Sequence, residues 1–169
     1  HRRAYPESTT LQELPVRRIY PIAVLALLAI RTAPAQAPAL NWGPAPAIFP
    51  AGAKMAVLQG DPGKAALFTV RLDLPSGYTI APHTHPTDEG ITVIQGTFLL
   101  GMGDKVDAAH ATKLPAGGFT TIDANMHHYA VAQGRTIVQV HSMGPFALVY
   151  VNPADDPTRK TKASDGARK

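Results

Sequence analysis

The chain has 169 residues, 45% of them hydrophobic, a formal net charge of +4 and no cysteine. That length suits one domain, and the missing thiol excludes disulfides, thiolate metal sites, cysteine nucleophiles and a lipid anchor on cysteine. The positive charge sits at the ends: between Pro38 and Asn152, Lys54, Lys64, Arg71, Lys105, Lys113 and Arg135 face seven Asp or Glu residues, which leaves the body without the basic footprint of a nucleic-acid binder.

Arg17 and Arg18 precede an apolar run from Ile19 to Ile30, followed by Ala33-Pro34-Ala35-Gln36-Ala37. A positive start, a short apolar middle and an Ala-x-Ala end predict a secretory leader. The run is shorter than the ~20 residues that span a bilayer. Residues 1–37 are therefore expected to be an extension plus leader, with translation starting near Val16 and cleavage after Ala37. The mature protein would be periplasmic or secreted, without a membrane span.

Residues 38–53 are rich in proline and alanine and predict an irregular arm, with Trp42 and Phe49 as anchors. Short strand-like runs then recur between turn signals. Lys54 to Gln59 closes on Gly60-Asp61-Pro62-Gly63-Lys64, a hairpin turn rather than a phosphate loop because no Ser or Thr follows the lysine. Ala66 to Leu74 alternates, with Phe68, Val70, Leu72 and Leu74 on one face. Tyr78 to Ala81, Ile91 to Gln95, Thr97 to Gly101, Phe119 to Asp123, His128 to Ala132, Thr136 to His141 and Phe146 to Val151 complete the set. Asp104 to Thr112 is the one stretch suited to a helical turn. From Pro153 the chain is polar and basic, and a disordered tail is expected over 153–169. Many short, regularly spaced strands predict an all-β sandwich or barrel over 54–152.

The chemistry concentrates between Gly77 and Gly96. His83 and His85 stand two apart on a strand and so share a face. Glu89 follows after Pro86-Thr87-Asp88, a stretch long enough to return a carboxylate toward the two rings; Asp88 is a less well spaced alternative. Gly96 is expected to turn the chain into the next strand. Downstream, His127 and His128 are adjacent, and alternation allows only one of them to join the site. Two imidazoles and a carboxylate make most of a ligand set for a divalent ion, and a further imidazole would extend it.

The spacing Gly77, His83-Thr84-His85, Glu89, Gly96 resembles the first signature of the cupin superfamily at every landmark. The second signature is matched in part by Gly117 and His128, with Asp123 where proline is usual, Asn125 where glycine is usual and Ala132 in place of the final asparagine. Asn tolerates left-handed turns. The resemblance selects His128 over His127 and covers roughly residues 54–151. It implies a cupin-type double-stranded β-helix, or jelly-roll barrel, with a short N-terminal arm, of the small single-domain kind, and pairing into a homodimer through outer sheets. It also implies a metal set of His83, His85, Glu89 and His128.

Three imidazoles and one carboxylate suit one divalent transition ion, Fe, Mn, Ni, Cu, Co or Zn, without choosing among them. Two open positions would admit a small-molecule substrate, with Glu89 as both ligand and catalytic base. Gln139 and His141 share a strand face and are expected to support ligand or substrate if that face points inward, with Tyr129 near the cavity mouth. Two functions are expected: an oxygenase-like metalloenzyme acting on a small oxygenated molecule, or a non-catalytic binding or sensing module. Metal should be lost as pH falls through the imidazole range.

Overall fold

A computed structural model describes residues 39–159; the predicted leader at 1–37 and the segment 160–169 lie outside the described residues. The fold is mostly β: β1 Gly43–Pro44, β2 Lys54–Gln59, β3 Leu67–Leu74, β4 Thr79–Thr84, β5 Glu89–Met102, β6 Thr112–Pro115, β7 Phe119–Ile122, β8 His128–Met143 and β9 Val149–Tyr150. All pair antiparallel in one curled sheet. Among the described residues no helix is long and apolar enough to cross a membrane.

The expected alternation holds in β3. Phe68, Val70, Leu72 and Leu74 are buried, while Thr69, Arg71 and Asp73 keep partial exposure. Each fully buried large apolar side chain contributes about 1.5–3 kcal/mol relative to an exposed one, which holds this strand to the register Leu67↔Met143 through Leu74↔Thr136 on β8.

Two sequence expectations are corrected by the long strands. Ile91–Gln95 and Thr97–Gly101 are not separate strands joined by a turn at Gly96; both belong to β5. Likewise β8 runs unbroken through His128–Ala132 and Thr136–His141. The pairing of β5 with β8 slips from Gln95↔Ile137 to Thr97↔Gln133, so the pair bulges at Gly96 and Gly134, with φ of 80° and 77°. A bulge bends a strand without ending it. The first half of β5 therefore joins β7 and the second half of β8, and its second half joins β6 and the first half of β8. A Cβ on Gly96 would lie 2.5 Å from the Arg135 carbonyl oxygen, so close approach as well as φ demands glycine there.

Residues 104–111 form bends and turns, not a helix, and Thr112 opens β6. The tail expected from Pro153 is also corrected in its first residues. Pro153–Asp155 is a 3-10 helix whose first turn is capped by the Asn152 side chain, which accepts from the Ala154 amide at 3.1 Å.

The N-terminal arm folds over the interior. Phe49 is buried in the core and Trp42 half-buried. Two hydroxyls hold the arm in place: Tyr78 donates to the Pro50 carbonyl at 2.5 Å, and Tyr150 donates to the Ile48 carbonyl at 2.8 Å.

Candidate metal centre

His83, the last but one residue of β4, faces the cavity, and its Cα partner across the sheet is His128, the first residue of β8. His85 follows just beyond β4, and Glu89 opens β5. All four side chains are buried. The loop before His128 is tied directly to the His85–Glu89 loop. The Asn125 amide donates to the His85 carbonyl at 2.7 Å, and the Ala124 amide donates to the Asp88 carboxylate at 2.8 Å. Asp88 is thereby a loop tie and not the alternative carboxylate. Asn125 sits at φ 63° and does the left-handed work expected of it.

His83, His85 and His128 each bring one ring nitrogen to a common point, with the three atoms within 4.8 Å of one another. Each ring is fixed from behind by a backbone carbonyl. His83 Nδ1 donates to Ala81 O at 2.7 Å, His85 Nδ1 to Ala147 O at 2.7 Å and His128 Nδ1 to Met126 O at 2.9 Å. A carbonyl can only accept, so the proton belongs on Nδ1 and Nε2 is left with a free lone pair. This is the arrangement that orients a metal-binding imidazole and sets its tautomer.

Glu89 Oε2 lies 3.6 Å from both His85 Nε2 and His128 Nε2, too long for a hydrogen bond. Donors bound to one ion at about 2.1 Å are separated by about 3.0 Å at a right angle and about 3.4 Å at the tetrahedral angle. The observed spacing is thus close to that of ligands sharing an ion. Burial, together with His128 and His85, pushes the His83 pKa down to about 2, and burial also lowers that of His85 against an upward pull from Glu89. Both rings stay neutral at ordinary pH, as metal ligands must. The donor set fits a divalent transition ion.

The four side chains form one end of a cavity of about 260 Å³. Its remaining lining is apolar, from the inward face of β3, from Ile91, Phe98 and Leu100 of β5, from Ala130, Val138 and Val140 of β8, and from the arm at Pro46, Ile48 and Phe49. Phe146 stacks on the His85 ring with centroids 4.5 Å apart.

Three expected site residues lie elsewhere. Of β8, His128, Ala130, Val138 and Val140 line the cavity, whereas Gln139, His141 and Tyr129 do not. Gln139 accepts from Arg71 Nε at 3.1 Å, and His141 lies over Gly90, stacked on Phe119. Tyr129 is buried against Gly101, its hydroxyl donating to the Asp107 carbonyl at 2.8 Å. His127 also points away, toward Asp104. The arm was expected to anchor on the core but not to line the site, and Phe146 and the Ala147 carbonyl were not anticipated. Only the apolar character of Ile48, Phe49 and Phe146 hints at burial.

Residues 70–144 match the family model described as Cupin domain. No curated protein matches the chain in sequence. Among solved structures, a candidate acetylacetone dioxygenase from Methylibium petroleiphilum PM1 is 24% identical over 70% of this chain and 79% of that one, with TM-score 0.55. The polyketide cyclase RemF from Streptomyces resistomycificus is 18% identical over 65% and 78%, with TM-score 0.52. An RmlC-like cupin from Shewanella frigidimarina NCIMB 400 is 22% identical over 56% and 78%, with TM-score 0.47. The curled antiparallel sheet, the three-histidine cluster and the family match agree: residues 70–144 of the chain are a cupin domain.

Proposed function

We propose that this protein is a metalloenzyme that holds one divalent transition ion on His83, His85, Glu89 and His128 and acts on a small oxygenated molecule in an oxygenase-type reaction. The observation that carries the proposal is the convergence of three bare Nε2 atoms, each backed by a carbonyl on Nδ1. Bound at this point, the ion would supply Lewis acidity and open positions for oxygen ligands. The chain's own part is to orient the imidazoles, exclude water with apolar walls and hold in Glu89 a carboxylate that can take a proton from the ligand.

An oxygenase fits this cavity better than chemistry needing two placed proton-transfer groups, because among the described residues Glu89 is the one carboxylate that lines it. Incorporation of both atoms of dioxygen into the ligand needs no external reductant, and dioxygen is itself apolar. The Methylibium fold neighbour carries a candidate activity of that class. The same scarcity of polar groups favours a second reading, a binding or sensing module that turns nothing over.

Elemental analysis of the full chain, purified without an affinity tag, tests the centre. About one transition ion per chain is expected, falling to background in His128→Ala. Unchanged metal content in that variant overturns the proposal. Oxygen consumption with acetylacetone and related small dicarbonyls, abolished in Glu89→Ala, separates the enzyme from the module. The leader at residues 1–37 extends the proposal to an exported protein, tested by whether the exported form begins at Pro38.

A further inference from the structure

Among the described residues, and beyond the four ligand side chains, the cavity is lined wholly by aliphatic, aromatic, methionine, proline and glycine residues. Nothing in that lining can pair with a phosphate, a remote carboxylate or a ring of hydroxyls: no lysine, arginine, serine, threonine, asparagine, glutamine or tyrosine takes part. A buried polar group without a partner weakens binding by tenfold or more. Carbohydrates and dicarboxylates are therefore poor occupants of this space.

We infer that the ligand of this site is a small molecule with a single chelating oxygen head and a short hydrocarbon remainder. The head meets the ion at the histidine end. The remainder lies against Leu72 and Val70 of β3 and Val138 of β8, under the arm at Ile48 and Phe49. The volume of about 260 Å³ lies just below the roughly 300–1,000 Å³ of drug-sized clefts, so the remainder is short. Two hydroxyls hold the arm, Tyr78 on Pro50 and Tyr150 on Ile48, and their own rings are buried. The apolar cover is thus anchored to the barrel and not a loose flap. This inference rests on the metal reading above and narrows its ligand.

The test uses the full chain loaded with Zn(II), which is redox-silent, and linear alkyl hydroxamic acids from acetohydroxamic to octanohydroxamic acid. The chelating head is constant while the tail grows. Zn(II) uptake is titrated first by calorimetry, then the Kd of each hydroxamate. Binding should tighten about fourfold per added methylene until the cavity fills, and then level off. A hydroxamate ending in a carboxylate should bind at least tenfold more weakly than the alkyl one of equal length. A flat series, or an equal or tighter carboxylate, overturns the hydrocarbon assignment while leaving the metal reading intact. Failure to take up Zn(II) overturns both.

Discussion

Acidification should unfold the metal-free protein through His83. In the unfolded chain this imidazole takes its proton near 6.5; in the fold, burial and the facing imidazoles delay it to about 2. Between those values the unfolded state holds more protons, so stability is full above pH 6.5 and is lost as pH falls. Each pH unit is worth about 1.4 kcal/mol once the unfolded residue is mostly protonated. From pH 6.5 to 4.5 His83 alone removes about 2 kcal/mol, a sizeable share of the roughly 5–15 kcal/mol typical of a domain. His85, also held down by burial, pushes in the same direction. Asp73 barely contributes in this window, because its unfolded value is 3.8 and Arg135 lowers it further in the fold. Urea unfolding of chelator-treated protein, followed by far-ultraviolet circular dichroism at both pH values, measures the loss. His83→Gln should be less acid-sensitive than the wild type by about 2 kcal/mol. Equal pH dependence in the two proteins would refute the reasoning.

The remaining predictions concern metal, backbone and arm. His85→Ala should lower Zn(II) affinity at least 100-fold, since even groups supporting a ligand are worth about 10–100-fold; competition with a chromogenic chelator measures it. Gly96→Ala should destabilise by about 2 kcal/mol or more, because the new methyl meets the Arg135 carbonyl at 2.5 Å in a left-handed conformation; the urea midpoint reports it. Tyr150→Phe removes the donor to the Ile48 carbonyl, should cost about 1–2 kcal/mol and should raise hydrogen exchange in residues 45–50 above that elsewhere. Asn125→Gly should leave stability nearly unchanged, whereas Asn125→Val should lower the melting temperature, since φ is 63° and a β-branched side chain resists that region.

The residues of the centre were legible because their geometry is local. His83 and His85 share a face by strand alternation, and Glu89 returns through a three-residue bend. Selecting His128 over its neighbour rested on the cupin register; in the structure His128 clusters with His83 and His85, and His127 turns to Asp104. The misplaced residues failed for one reason. Alternation divides β8 into Val138 and Val140 on one face and Gln139 and His141 on the other, but it does not say which face is covered. Gly96 misled because a glycine that ends a strand and one that bulges it look alike in sequence.

Read alone, the amino acids determined an all-β body, its apolar strand faces and the ligand types of the centre, since these follow from period-two patterning and side-chain chemistry within short stretches. Only the tertiary structure decided which faces meet, because the curl of the sheet comes from paired bulges on β5 and β8 acting together. It also supplied the cover of the cavity, in which Tyr78 and Tyr150 reach carbonyls 28 and 102 residues away, and the Ala147 carbonyl that sets the tautomer of His85. Such contacts depend on the whole chain closing on itself, and no local pattern encodes them.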